Sequence, residues 1–371
     1  MTKLFKAIGL MSGTSIDGID LALITTDGKS IINEEKSDFF PYSEIFRNSI
    51  RAIIADNSDL SKVKEVEDRL TKFHADFVNK FLAKNNIDSQ DIDLIAFHGQ
   101  TIDHKPDDGM TWQIGNSKLL SCLTKIKVIG DLRQADVKYG GQGAPLIPIY
   151  HFHLFNKLIN KSAAIINIGG VSNFTFFKKD QEDSLIAGDF CFGNALSDDL
   201  IKELSGADFD QDGQLAVQGE VSQDLVREIL SDPFFQIKPP RSLDRQHFNR
   251  FRESLKKLNI NDALASLAFV IAKSLKLNFD LIGEEVNEII VCGGGSKNGA
   301  IMSNLHSQFL DVKVIKSEDY NIDSSMIEAA GFAYLGVRSI LELPNSFEGT
   351  TGVKIEGGCV GGVLYDGACE S

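Results

Sequence analysis

Short β-rich runs that end in glycine recur along this chain, and they constrain its fold more than any other feature. They read "KAIGLMSGTS", "DLIAFHGQT", "IKVIGDLR", "AAIINIGGVSN" and "EIIVCGGGSKNG". Between them lie segments whose apolar residues fall at three- and four-residue steps, and alternation of strand and helix specifies an α/β architecture. The periodicity predicts helices over Lys62–Lys84, Asn194–Leu204, Asp262–Phe279, Asn298–Leu310 and Ser324–Leu341. In the first of these, Val66, Leu70, Phe73, Phe77 and Phe81 share one face.

Two stretches resemble one another across the chain. In "KAIGLMSGTSIDGIDLALITTD" and in "SAAIINIGGVSNFTFFKKD" an apolar strand enters a turn of small residues and leaves as a second apolar strand, which predicts a β-hairpin in each half. A length of 371 residues exceeds what one hydrophobic core usually supports, so two domains with a cleft between them are expected. The boundary is placed near Gly130. The glycine-rich tail from about Pro344 is expected to pack back on the first domain, giving 1–130 with 344–371 as one domain and 131–343 as the other.

Net charge excludes one class of partner. At -14, with no long basic stripe, the chain would be repelled by a phosphate backbone, so no nucleic acid is expected. Five scattered cysteines with no C-x-x-C pair argue against a disulfide framework and a zinc site, which fits a reducing cytoplasm. The N-terminus lacks the apolar core of a secretory signal, and the longest uncharged runs are broken by Gly, Pro, Asn, Gln and His, so no membrane span is expected.

The chemistry-bearing residues cluster at the glycine turns. In "GLMSGTSIDGIDLALI" the main chain of Gly13, Thr14 and Ser15 carries no bulky side chain, which is what a phosphate needs to approach backbone N–H groups; a hairpin whose glycines merely allow positive φ is the alternative. "NIGGVSN" supplies Gly169, Gly170 and Asn173. "CGGGSKNG" supplies Gly293, Gly294 and Gly295, then Asn298 at a helix start where an anionic ligand could sit. Three such loops are better explained by one nucleotide than by three accidents.

Acidic and basic candidates follow. Asp189 stands at the end of an apolar strand, where α/β proteins place reactive groups, and is a candidate general base or a helix cap. Glu328 lies within an apolar helical stretch and wants a partner, a ligand or an exposed face. Arg133 and Asp136 could pair locally or grip a carboxylate and hydroxyls; the planar fork of Arg suits a carboxylate. His98, Gln100 and Thr101 sit at a strand end. His151 and His153, on one strand face or about a turn, have no third ligand in the sequence nearby, so no metal site is assigned.

Taken together, "MSGTSIDG", "FHGQTIDH", "TWQIGN", "GDLRQADVKYGGQGAPLIP", "INIGGVSN", "GNALSDD", "FDQDGQLAVQG", "PPRSLDRQHF", "VCGGGSKNG", "IEAAGFAYLG" and "TTGV" closely resemble the anhydro-N-acetylmuramic acid kinases of bacterial cell-wall recycling. The resemblance runs in order over nearly the whole chain. It implies the ASKHA fold of actin and hexokinase, in which two ribonuclease-H-like domains surround a central cleft. It implies a reaction in which ATP, with Mg²⁺, phosphorylates O6 of 1,6-anhydro-N-acetylmuramic acid while water opens the anhydro bridge, giving N-acetylmuramate 6-phosphate.

By that resemblance, Asp189 is the base for the water. Gly13 to Asp20, including Asp17 and Gly18, match the ATP loop, and the other glycine turns match its nucleotide side. Arg133, Asp136 and Glu328, with His98, Gln100 and Thr101, fall near the sugar. Metal ligands are not assigned, because Met11 stands where related folds carry an anchoring aspartate. The family usually reads Asp-Thr-Gly-Pro-Gly-Asn around the base; here Asp189 is followed by Phe190, Cys191, Phe192, Gly193 and Asn194, and the aromatics bear on the turn and the substrate fit. A binding protein that has lost turnover and a plain sugar kinase are the competing readings. The sequence allows a homodimer without requiring one.

Overall fold

A computed structural model describes residues 3–13 and 15–367. The chain forms two compact units, Met1–Leu154 with Ser325–Ser371, and Phe155–Ser324.

The first unit holds β1 (Phe5–Ser12), β2 (Gly18–Thr26), β3 (Ile32–Pro41), β4 (Leu94–Lys105), β5 (Met110–Ile114) and β6 (Val128–Gly130). β1 and β2 form the predicted antiparallel hairpin, β3 continues it, and β4 and then β6 add parallel on the other side of β1. The crossover from β3 to β4 runs through helices Glu44–Ala55 and Leu60–Asn85. Ser43 starts the first by accepting from Phe46 N, and Asp59 starts the second by accepting from Ser61 N and Lys62 N. Their apolar faces, with Phe46, Leu70, Phe77 and Phe81, close over Ile8, Leu10, Ile19 and Ile95 of the sheet.

The other side of that sheet carries the helix Ile327–Ile340, packed on β1, β2 and β4. Small residues allow the approach: a Cβ at Gly9 would lie 1.8 Å from the Ala329 carbonyl oxygen, and one at Gly336 would lie 2.7 Å from Ala96 Cβ. This contact corrects the expected boundaries at 130 and 344. Residues 131–154 and 325–343 belong with the first unit, the latter because the helix has buried its face on β1.

The second unit holds β7 (Ser162–Ile168), β8 (Val171–Lys178), β9 (Gln181–Phe192), β10 (Glu288–Cys292) and β11 (Lys313–Lys316). Again the first two strands form a hairpin, the third continues it antiparallel, and the last two add parallel beside the first. The sheet orders are β3-β2-β1-β4-β6 and β9-β8-β7-β10-β11, so each unit repeats the 3-2-1-4-5 pattern with its second strand reversed. This is the ribonuclease-H-like arrangement, present twice. The predicted helices appear as Ala195–Ser205, Ile260–Ile282 and Gly299–Gln308. A last strand, β12 (Val363–Tyr365), pairs antiparallel with β6, as the tail was expected to do.

Two readings of the sequence need correction. His151 and His153 lie on the helix Pro148–Phe155, not on a strand, Pro148 being well suited to a helix's first position. Cys122 is disulfide-bonded, while Cys191, Cys292 and Cys359 are buried free thiols, so scattered spacing did not exclude a bridge. Among the described residues no helix is long and apolar enough to cross a membrane.

Candidate active site

In the first unit the loop between β1 and β2 is braced from below. Ser12 Oγ donates to Gln100 Oε1 (2.7 Å) and lies 3.1 Å from the Tyr42 hydroxyl, while Gln100 Nε2 donates to the Gly13 carbonyl (3.3 Å). Gln100, expected near the sugar, therefore holds the loop. Ile16 adopts a left-handed φ of 56°, and its N–H closes a turn onto Gly13 O (3.2 Å). Thr14 lies outside the described residues. A Cβ at Gly13 would meet nothing closer than Ser15 Oγ at 3.7 Å, so the main chain there is open to a ligand. Gly18 is different: a Cβ would strike Phe40 O and the Phe39 ring, so packing accounts for it.

Asp17 accepts from Ser15 Oγ (2.7 Å), and its carbonyl accepts from Tyr42 N (2.9 Å), so it stabilises the turn. Asp20 lies on β2 in an open pocket of about 410 Å³, together with Asp17, Asp38, Phe39 and Ser325. Burial, then Glu328 and Asp17, pushes its carboxyl up to about 7. Glu328 is half-buried in the first turn of its helix rather than in the middle.

Because the folded chain holds a proton on Asp20 that the unfolded chain has released, stability falls as pH rises from about 4 to about 7. Asp20→Asn is expected to raise the melting temperature by several degrees at pH 8 and by less at pH 5. An equal gain at both pH values in a thermal melt would refute the cause.

Around the residues expected near the sugar, a relay fixes Arg133. Its Nε donates to His98 Nε2 (2.9 Å) and its NH1 to Gly143 O (2.5 Å), with the guanidinium above the Phe332 ring. His98 is buried and lies 2.8 Å from Gly99 O through Nδ1; burial and then Arg133 hold its pKa well below the usual value. A neutral ring that donates at Nδ1 and accepts at Nε2 satisfies both contacts. His98 thus orients Arg133. Asp136 accepts from Gly143 N (2.6 Å), Ser346 Oγ (2.5 Å) and Thr351 Oγ1 (2.6 Å). These three donors engage both its oxygens, so it ties the Gly140–Gly143 turn to the C-terminal segment. Thr101 Oγ1 accepts from Gln113 Nε2 (3.2 Å).

In the second unit β7, β9 and β10 run in one direction, and their C-terminal ends gather the loops that the sequence singled out. Gly169 O accepts from Asn194 N (2.7 Å) and Gly170 O from Gly193 N (3.0 Å). A Cβ at Gly193 would lie 2.1 Å from Gly169 O, and one at Gly293, where φ is +77°, would lie 2.3 Å from Asn167 Oδ1. Gly295 packs likewise on Ile168. Gly169 and Gly294 instead leave room, with nearest atoms at 3.8 and 3.6 Å. Asn298 caps the helix Gly299–Gln308 by accepting from Ala300 N and Ile301 N.

Asp189 lies on β9 opposite Asn173 of β8 and is 8% exposed. The register shifts by one residue there, since Asn173 faces Asp189 while Ser172 faces Cys191, and Phe190 is the extra residue of a β-bulge. Phe190, Cys191 and Phe192 all enter the core, Phe192 edge-on to Phe248 at 5.2 Å. The aromatics that replace the family's small residues are packing groups. Asp189 caps no helix: its Oδ2 accepts from Leu243 N (2.7 Å). The reading from sequence missed Leu243 and its neighbour Arg241, although both sit in the quoted motif "PPRSLDRQHF".

A family model described as "Anhydro-N-acetylmuramic acid kinase" matches residues 5–366. The chain belongs to the anhydro-N-acetylmuramic acid kinase family. Relatives of that name include one from Zymomonas mobilis subsp. mobilis, 40% identical over 94% of this chain and 96% of its own. Another, from Agrobacterium fabrum, is 38% identical over 98% of this chain and 99% of its own. Among solved structures, the activator of the 2-hydroxyisocaproyl-CoA dehydratase from Clostridium difficile, with bound ADPNP, is similar at 14% identity and a TM-score of 0.47, covering 91% of this chain and 96% of that one. As a member of the anhydro-N-acetylmuramic acid kinase family the chain is an enzyme, a phosphotransferase with an alcohol group as acceptor. The family's motifs include those that build the two loop systems above, in each unit at the ends of strands.

Proposed function

We propose that the enzyme uses ATP to convert 1,6-anhydro-N-acetylmuramic acid and water into N-acetylmuramate 6-phosphate, with Asp189 as the base, in the cytoplasm where ATP is available. The observation that carries this reading is the Asp189 carboxylate at the loop-bearing edge of its sheet, fixed by the Leu243 N–H. Water gives its proton to Asp189 as its oxygen bonds to C1. The C1–O6 bond breaks, and its electron pair makes O6 the nucleophile for the γ-phosphorus. The bond from that phosphorus to the β-γ bridging oxygen then breaks and ADP leaves.

The open main chain at Gly13 and Ser15 is the first unit's phosphate contact in this reading. Gly169, Gly170 and Gly294 serve the nucleotide in the second unit. Mg²⁺ needs only one or two carboxylates beside water and phosphate, and Asp20, whose proton is loosely held near neutral pH, fits a hydrated cation. When bound, the metal would neutralise charge on the transferring phosphoryl group. Arg133, oriented by His98 and Gly143, suits the lactyl carboxylate, which a neutral sugar lacks. The reading without turnover drew on Phe190 and Phe192, and their place in the core removes its support.

Turnover in ¹⁸O water tests the reaction. Quenched before anomeric exchange, the product is expected to carry ¹⁸O at C1 and none in the C6–O–P bridge; label in that bridge would overturn attack at C1. Arg133→Lys should raise KM for the anhydro sugar about tenfold and leave KM for ATP unchanged, since an ammonium cannot make the planar, two-pronged contact. Equal KM values for the sugar in both proteins would remove Arg133 from recognition.

A further inference from the structure

Arg241 is 5% exposed, and Asp189 is the charged group that most favours keeping its guanidinium ionised. Burial brings its pKa down to about 10 against that attraction. Its donors reach three elements. Nε donates to the Asp189 carbonyl (2.9 Å), NH1 to the carbonyls of Phe234 (3.0 Å) and Ile237, and NH2 to Asn278 Oδ1 of the helix Ile260–Ile282 (3.2 Å), while the guanidinium lies over the Phe234 ring at 4.3 Å. The backbone of the same segment is laid flush on β9. Asp189 N donates to Arg241 O (2.9 Å), and a Cβ at Gly188 would come within 3.1 Å of Arg241 N and O. Two residues on, Leu243 N meets the Asp189 carboxylate.

We propose that Arg241 is the positioning residue for the base: its fork clamps the Arg241–Leu243 segment to the bulged end of β9, so that the Leu243 N–H aims the Asp189 carboxylate. The proposal rests on the reading of Asp189 as the base. Asp189 and then Cys191 are the groups whose charge favours the ionised Arg241 guanidinium. Burial pushes the Cys191 thiol up to about 12, so it stays neutral at working pH. β8 and the helix Ile260–Ile282 present Asn173 and Asn278 to this corner, neither of which titrates.

Arg241→Gln removes the charge and the fork. It is expected to lower kcat ~10- to 100-fold, to hold both KM values within about threefold, and to move the acid limb of kcat upward by about one pH unit, because a carboxylate that loses a neighbouring cation binds its proton more tightly. A protein with a lower melting temperature but an unmoved limb and wild-type kcat per active site would overturn the proposal, leaving Arg241 a packing residue. If the Gln variant yields no folded protein, Arg241→Lys decides: a kcat at least threefold lower with KM values held supports the clamp, and wild-type kcat refutes it. Asp189→Asn measured alongside separates the two ideas. Wild-type turnover in that variant removes the base itself, whereas loss of turnover there with an unmoved limb in the Arg241 variants removes only the clamp.

Discussion

Asp189→Asn is expected to lower kcat by about 10³-fold or more while leaving the dissociation constant for ATP within a few-fold. General-base catalysis by a positioned carboxylate is worth ~10² to 10⁴ in rate, and the amide cannot take the proton from water. The substitution should be quiet structurally. Asn keeps the shape of Asp, its amide oxygen can still accept from Leu243 N, and the backbone bonds to Arg241 do not involve the side chain. A coupled assay of ADP release and a calorimetric titration with ATP measure the two quantities. Wild-type turnover would refute the base assignment, and loss of ATP binding would show that Asp189 holds the nucleotide instead.

Gly9→Ala is expected to be the most damaging single methyl group in the first unit. Its Cβ would sit 1.8 Å from Ala329 O and 2.7 Å from Ala333 N, both backbone atoms of a helix that cannot retreat without leaving β1, β2 and β4 together. Overpacking against backbone costs about 3 kcal/mol, or roughly 10 °C of melting temperature in a unit of this size. Four residues later, Gly13→Ala meets only Ser15 Oγ at 3.7 Å, so its melt should match the wild type while its ATP affinity falls. A thermal melt of Gly9→Ala within about 2 °C of the wild type would mean that the helix is not seated as described. Two glycines of one short stretch thus separate by experiment into one that packs and one that serves a ligand.

The hairpins, the strand-helix alternation and the long helices were legible in the sequence because local periods encode them. The run of Val66, Leu70, Phe73, Phe77 and Phe81 can bury one face only as a helix, and Leu60–Asn85 is that helix. The glycine loops and Asp189 were legible as well, as residue types in turns and at strand ends. What Asp136 and His98 do was not. Asp136 reaches Ser346 and Thr351 across 210 and 215 residues, and His98 meets Arg133 across 35. No local pattern encodes such pairings, so neither the turn that Asp136 holds nor the arginine that His98 orients was legible in the sequence. The domain boundary differs for the same reason, since the packing of the last long helix on β1, β2 and β4 places it in the first unit.

By itself the sequence determined the α/β class, the repeated hairpins and the family, and singled out Asp189 as the candidate base, all of which depend on side-chain type and short-range spacing. The tertiary structure decided how that residue is presented. Phe190 is squeezed out as a bulge and turned into the core, and Arg241, 52 residues away, brings the Leu243 N–H to the Asp189 carboxylate. Register shifts and long-range backbone contacts arise only when strands pair and the core closes, which is why local pattern singles out Asp189 and only the fold shows how its carboxylate is held.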